Sequence, residues 1–218
     1  ALRDFPLRLA LETAARNEVS GSYFEFGVFQ GRSFIYAFEQ CQRLFRPHQR
    51  ENMKFIAFDS FEGLPESSDP FTPTHFHKNA YAYPQDAFTN NLKDADVDMS
   101  KVVIVPGYFN EAFADPKKMA PIENDKVAVA YIDCDIYESA VDVFQFLTNR
   151  LQHGSVIVVD DWYRHHADPS YGIQRAFNDW LADNPHISAT QLVSTDRVAF
   201  VVHLQPTGPE NKTLSDKQ

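Results

Sequence analysis

Val127-Ala-Val-Ala-Tyr-Ile-Asp133-Cys-Asp135 and, after one helical stretch, Ser155-Val-Ile-Val-Val-Asp160-Asp161 are two apolar runs that each end in a pair of carboxylates. Strands buried on both faces of a parallel sheet read as unbroken Val/Ile runs, and open α/β sheets bind ligands at the carboxyl ends of their strands. Four acids therefore fall where a ligand sits. Crowded carboxylates repel one another unless a cation or proton relieves them, and an oxygen-only cluster suits a hard divalent ion such as Mg²⁺.

Working outward, the same alternation of strand and helix continues in both directions. Residues 7–16 carry apolar side chains at helical spacing. Strand signals follow at 23–26, 53–58 and 102–105, with a helix expected over 33–44 between the first two. Helices are expected at 137–151 and 171–182, and 191–194 with 198–203 form a closing antiparallel pair around Thr-Asp-Arg. Residues 66–91, rich in Pro, Phe, Tyr, Asn and His, read as a lid-like loop, and the tail 205–218 as polar and frayed. Residues 1–204 are expected to form one domain.

The first strand leads into Glu25-Phe-Gly27-Val-Phe-Gln-Gly31-Arg-Ser33, a glycine turn opening a helix. Such a turn lets backbone approach a ligand closely, and Glu25 can hold a cationic or hydroxylated part of it. It is not G-x-G-x-x-G, whose middle glycine is missing. Asp59 ends the second strand, where doubly wound folds place an acid against ribose hydroxyls. Its separation from Gly27 exceeds the usual ~20 residues, and the polar connector 46–52 accounts for the excess. Read alone, this Asp could instead cap the turn Asp-Ser-Phe-Glu-Gly; together with the glycine turn, nucleoside binding is the better reading.

Composition narrows the partners. The chain has 218 residues with 44% hydrophobic content, enough for the core of one α/β domain. Its net charge of −10 argues against nucleic acid and anionic membranes, and in favour of a small ligand. Two cysteines, Cys41 and Cys134, make neither a disulfide scaffold nor a cysteine zinc site, which points to the cytoplasm. No signal-peptide core or membrane-length apolar run is present in the sequence. A chain beginning at Ala1 leaves upstream sequence open, and homo-oligomerisation is left open too. His165 and His166 read as solvated loop residues, and His75 and His77 lack a third metal ligand nearby. Tyr131 and Cys134 are assigned to packing, while Phe76, Tyr81, Trp162 and Tyr163 are candidates to line a pocket.

The segments F-E-F-G-V-F-Q-G-R-S, F-D-S-F-E-G-L-P, I-D-C-D-I-Y-E-S and V-V-D-D-W-Y, in that order, resemble the macrocin O-methyltransferase family of metal-dependent S-adenosylmethionine enzymes. The resemblance implies a Rossmann-like class I methyltransferase fold: a mostly parallel seven-stranded sheet, its last strand antiparallel, with helices on both faces. It implies methyl transfer to a hydroxyl, often on a natural-product sugar. Glu25 and Gly27 then fall in the first cofactor motif, Gly31 and Ser33 beside the methionine part, Asp59 at the ribose and Ser60 near the adenosine. Asp133, Asp160 and Asp161 match the Mg²⁺ ligands, and Asp135 the general base. Cys134 replaces a commoner Gly. Two other readings remain: a D-x-D glycosyltransferase, which leaves the glycine turn unexplained, and a non-catalytic nucleoside-binding module, which needs no complete acid set.

Overall fold

The structure, a computed structural model, describes residues 4–205; the expected polar tail lies outside the described residues from 206 onward. Its strands are β1 (Ser22–Phe26), β2 (Phe55–Asp59), β3 (Val102–Pro106), β4 (Val127–Ile132), β5 (Val156–Val159), β6 (Ile187–Ser194) and β7 (Val198–Leu204). They form one sheet in the order β3-β2-β1-β4-β5-β7-β6. Neighbours from β3 through β5 pair in parallel, and β7 runs antiparallel to both β5 and β6. The chain moves outward from β1 to β3 on one side and begins again with β4 on the other. That reversal makes a crevice at the carboxyl ends of β1 and β4.

Alternation along the buried strands supplies two cores. Phe24 and Phe26 of β1, with Ile56 and Phe58 of β2, face α5 (Phe109–Ala114), α7 (Tyr137–Thr148) and α8 (Gly172–Asp183). Tyr23, Phe55 and Val129 point the other way, onto α1 (Phe5–Arg16), α2 (Arg32–Leu44) and α4 (Gln85–Asp94). All five residues of β1 are buried, as expected of a strand covered on both faces.

Three local readings change. β2 begins at Phe55 rather than at Met53, and the connector before it holds a one-turn helix, α3 (Pro47–Arg50). The end of the 66–91 segment is helical: Pro84 sets the start of α4, and its Phe88 and Leu92, four apart, are its buried anchors. Between β3 and β4, α5 is followed by the single-turn α6 (Pro116–Met119), neither long enough to show a periodicity in the sequence. The irregular part of the lid-like segment is tied down. The Ser67 hydroxyl and the amide and hydroxyl of Ser68 donate to Glu138 in the first turn of α7, and the Gly172 amide donates to Asp69. Among the described residues no helix is long and apolar enough to cross a membrane.

Candidate active site

A cavity of about 700 Å³ opens over the carboxyl edge of the sheet, within the size range of small-ligand sites. Gly27, Asp59 and Ser60 line one part of it, Asp133, Asp135, Asp160 and Asp161 another.

At the first part, chain crossings require glycine. Gly27 has φ +84°, and a Cβ there would lie 1.8 Å from the Asp133 carbonyl oxygen. Gly31, also at +84°, would place its Cβ 2.8 Å from the ring of Phe88, so it serves the packing of α4. Asp59 is held by three backbone amides: one oxygen accepts from the amides of Val28 (2.8 Å) and Phe29 (3.1 Å), the other from that of Phe61 (2.8 Å). Its carboxylate thus ties the turn after β1 to the turn after β2. Ser60 donates to the Gly63 carbonyl. Glu25 and Ser33, expected beside the cofactor, pair with each other instead: the Ser33 hydroxyl donates to Glu25 at 2.6 Å, and the Tyr23 hydroxyl donates to its other oxygen. Glu25 is wholly buried beneath the turn, and burial pushes its pKa up to about 8 against the lowering effect of those two donors. Glu25, Gly31 and Ser33 do not border the cavity.

At the second part four carboxylates meet; Arg197 pairs with Asp160 and Arg164 with Asp161, while Asp133 and Asp135 border each other. Oxygens of Asp133, Asp135 and Asp161 all lie within 4.8 Å of one another. The segment after β4 is not extended: Asp135 has φ 63°, and this left-handed turn brings its side chain back beside Asp133. Asp161 is left-handed as well, at 51°. Two non-glycine residues held there store strain of the kind that functional sites retain. Burial first, then the charges of Asp160, Asp135 and Asp161, push the Asp133 pKa well up. Asp135 is raised by burial, by its hydrogen bond with Asp161, and by the surrounding acids. Oxygen donors crowded this closely, with the pKa values of Asp133 and Asp135 raised, are a fitting set for a hard divalent ion.

Asp160 differs from the ligand role expected of it. One of its oxygens accepts from the Tyr131 hydroxyl (2.7 Å) and from Arg197 Nε (2.8 Å) and Nη2 (2.6 Å); the other accepts the Asp161 amide (2.8 Å). Tyr131, assigned to packing from the sequence, therefore belongs to the polar site. Arg197, in the Thr-Asp-Arg hairpin, carried no role in the sequence reading.

The remaining candidates divide. Phe76, Tyr81 and His75 line the cavity, and the Tyr81 pKa is raised by burial and by the charges of Asp135, Asp161 and Asp133. Trp162 packs on Phe177 and Phe200, and Tyr163 bonds Ser194 at the surface. His165 is buried rather than solvated, wedged against Gly172 with Nε2 lacking a partner; His166 is exposed. His77 is exposed, its ring bonded to the Lys78 carbonyl. The sequence reading missed Gly107, Tyr108, Phe109 and Asn110, which continue the wall from the end of β3. The strand-end rule that found Asp59 applies equally to Gly107, directly after β3. Both wall arginines are engaged, Arg197 with Asp160 and Arg164 with Asp161 at 2.9 Å.

A family model described as macrocin-O-methyltransferase (TylF) matches residues 3–194. Among curated proteins, the 8-demethyl-8-(2,3-dimethoxy-alpha-L-rhamnosyl)-tetracenomycin-C 4'-O-methyltransferase of Streptomyces olivaceus is 28% identical over 162 residues, covering 72% of this chain and 58% of that protein. The demethyldecarbamoylnovobiocin O-methyltransferase of Streptomyces niveus is 27% identical, with the same two coverages. The chain thus spans about three-fifths of the length of these relatives. Among solved structures, the O-methyltransferase NovP superposes with a TM-score of 0.72 at 21% identity, covering 91% of this chain and 78% of that one. The calicheamicin methyltransferase CalS11 gives 0.70 at 19%, covering 91% and 79%. TomG from Streptomyces achromogenes, solved in complex with SAM, gives 0.54 at 19%, covering 92% and 80%. These likenesses establish the fold.

Proposed function

The chain belongs to the macrocin-O-methyltransferase family, and from that premise we propose that it transfers a methyl group from S-adenosylmethionine to a hydroxyl of a small molecule, on a sugar or other polyol moiety of a natural product. The observation that carries this reading is the single cavity in which a glycine turn with its Asp59 clasp faces a cluster of three crowded carboxylates, only one of them, Asp161, paired with an arginine. Relatives named as O-methyltransferases of a rhamnosyl-tetracenomycin and of a novobiocin precursor support the acceptor class.

Bound S-adenosylmethionine supplies an electrophilic methyl on a sulfonium centre. Gly27 and the turn held by Asp59 would receive it, with Ser60 and the aromatic wall at Tyr108 and Phe109 beside the nucleoside. Asp133 and Asp161 would hold a divalent ion such as Mg²⁺, with Asp160 behind them; the ion supplies Lewis acidity that lowers the pKa of an acceptor hydroxyl. Asp135 takes the hydroxyl proton onto its carboxylate. Phe76 and Tyr81 exclude water above the reacting oxygen, and the fixed wall sets the line of approach on which much of the rate depends.

Two measurements test the proposal. Calorimetry should show S-adenosylmethionine or its demethylated product binding with and without Mg²⁺, while methyl transfer to a glycoside panel requires the ion. Tight UDP-sugar binding with no response to S-adenosylmethionine would reject it. Asp135→Asn separates base from ligand. As a base its loss lowers single-turnover transfer by roughly 10²- to 10⁴-fold with ion affinity kept; a rate within about threefold of wild type rejects the assignment.

A further inference from the structure

We propose that Arg197 is a positioning residue for the acid cluster, acting through Asp160 to fix Asp161. The proposal rests on the reading above that the cluster holds a divalent ion. Its origin is topological. Because β7 runs antiparallel to β5, its beginning rather than its end reaches the carboxyl edge of the sheet, and Val198 is paired with Val159. The next residues outward on the two strands are Arg197 and Asp160. They meet where the sheet ends and the cavity begins.

The contacts form a relay with a direction. Arg197 and Asp160 are 4% and 5% exposed, so neither side chain is free to reorient into water. Three donors, Arg197 Nε, Arg197 Nη2 and the Tyr131 hydroxyl, converge on one Asp160 oxygen, and Arg197 Nε also donates to the Tyr131 oxygen at 2.6 Å. A carboxylate gripped in this way presents its second oxygen in one orientation only. That oxygen accepts the amide of Asp161, whose φ of 51° is otherwise costly for a non-glycine residue. From that backbone the Asp161 side chain reaches Asp133 and Asp135. A buried ion pair is weak evidence for stability, since well-packed apolar replacements are often as stable. Here its geometry ends on an ion-binding side chain, and partners one shell behind a metal ligand typically control 10- to 100-fold in affinity.

The test is a double-mutant cycle read by Mn²⁺ calorimetry on the full chain, with affinity for S-adenosylhomocysteine as the control. Arg197→Met should weaken Mn²⁺ binding by roughly 10- to 100-fold, while cofactor-product affinity changes less than about threefold, because Asp59 and Gly27 lie outside the relay. In an Asp160→Asn background, Arg197→Met should add less than about threefold, since its hydrogen-bonded route is cut and only its charge near Asp133 remains to act. Tyr131→Phe, which removes one of the three donors, should give a smaller loss in the same direction. If Arg197→Met does not fold, Arg197→Lys replaces it, keeping the charge without the fork; it should weaken Mn²⁺ binding by at least about threefold, and wild-type affinity there overturns the proposal. Wild-type Mn²⁺ affinity in the Arg197 variant, or full multiplication of the two effects in the double variant, overturns the proposal. A wild-type chain that binds S-adenosylhomocysteine but no Mn²⁺ at millimolar concentration overturns the ion reading itself, and the relay with it.

Discussion

The two halves of the sheet's carboxyl edge treat their acids in opposite ways. At the ends of β1 and β2, three backbone amides satisfy Asp59, so its charge is spent on joining two turns. At the ends of β4 and β5, Asp133, Asp135 and Asp161 face one another, and burial with mutual repulsion drives the pKa values of the first two up. The first half is complete as folded and can receive a ligand through shape and residual acceptor capacity. Identical residue types at equivalent strand ends thus become a structural clasp or a crowded acid cluster according to whether backbone N–H groups point at them.

The seam between the halves is where this contrast breaks most completely. In Gly27→Ala the new Cβ would strike the Asp133 carbonyl, a backbone atom that cannot swing aside, and the residue would still need φ +84°. The expected loss is at least about 3 kcal/mol of stability in urea denaturation, strain and overpacking together. A variant within 1 kcal/mol of wild type would show that the two turns are not in contact.

Next in size is Asp161→Asn, which removes charge from the unsatisfied half alone. Asn tolerates the left-handed backbone, so folding should survive. The variant loses a like charge beside Asp133 and Asp135 but also its pair with the exposed Arg164, so the metal-free melting temperature at pH 8 should change little. Methyl transfer should fall by at least about 10²-fold, together with the stabilisation that Mg²⁺ gives in a thermal-shift assay, because an ion supplies several kcal/mol to the transition state. Full activity in excess EDTA would make the cluster structural.

Asp59→Ala is the mirror experiment on the satisfied half. Three amides lose their acceptor, which should cost roughly 2 kcal/mol or more of stability even before cofactor is considered. Affinity for S-adenosylhomocysteine should drop while Mn²⁺ affinity is kept. The reverse outcome, ion binding lost and cofactor binding intact, would dissolve the distinction between the halves.

At pH 5 the smallest effect belongs to Glu25. Its folded pKa of about 8 lies above its unfolded value, so the stability it contributes is fully present below about pH 4.5 and is lost as pH rises through about 8. Glu25→Gln mimics the protonated form and should flatten that part of the decline between pH 5 and 8.5, with stability at pH 5 changed by no more than about 1 kcal/mol. An unchanged slope in urea midpoint against pH would mean that Glu25 is ionised in the fold.

The sheet was legible because strands buried on both faces must be apolar throughout, and runs such as residues 127–132 and 155–159 permit little else. The acids were legible as candidates through the strand-end rule, but their division of labour was not. Asp59, Asp135 and Asp160 look alike in the sequence. Their partners come from Val28 and Phe29, from a left-handed turn toward Asp161, and from a hairpin beyond α8. The helices between β3 and β4 went unread because four to six residues are too few for a period to repeat, and α4 because it buries only Phe88 and Leu92.

By itself, the sequence determined the order of the strands and of the longer helices α1, α2, α7 and α8, the glycine turn, and the presence of acids at strand ends. These follow from local chemistry: apolar runs, residues that tolerate a left-handed backbone, and charge that cannot be buried cheaply. Only the tertiary structure decided which acid is clasped by amides, which is held by Arg197 and which are crowded together at the cavity wall. Hydrogen bonding and desolvation are set by neighbours distant in the chain, and Arg197 meets Asp160 only because an antiparallel strand brings its first residue to the edge where parallel strands end.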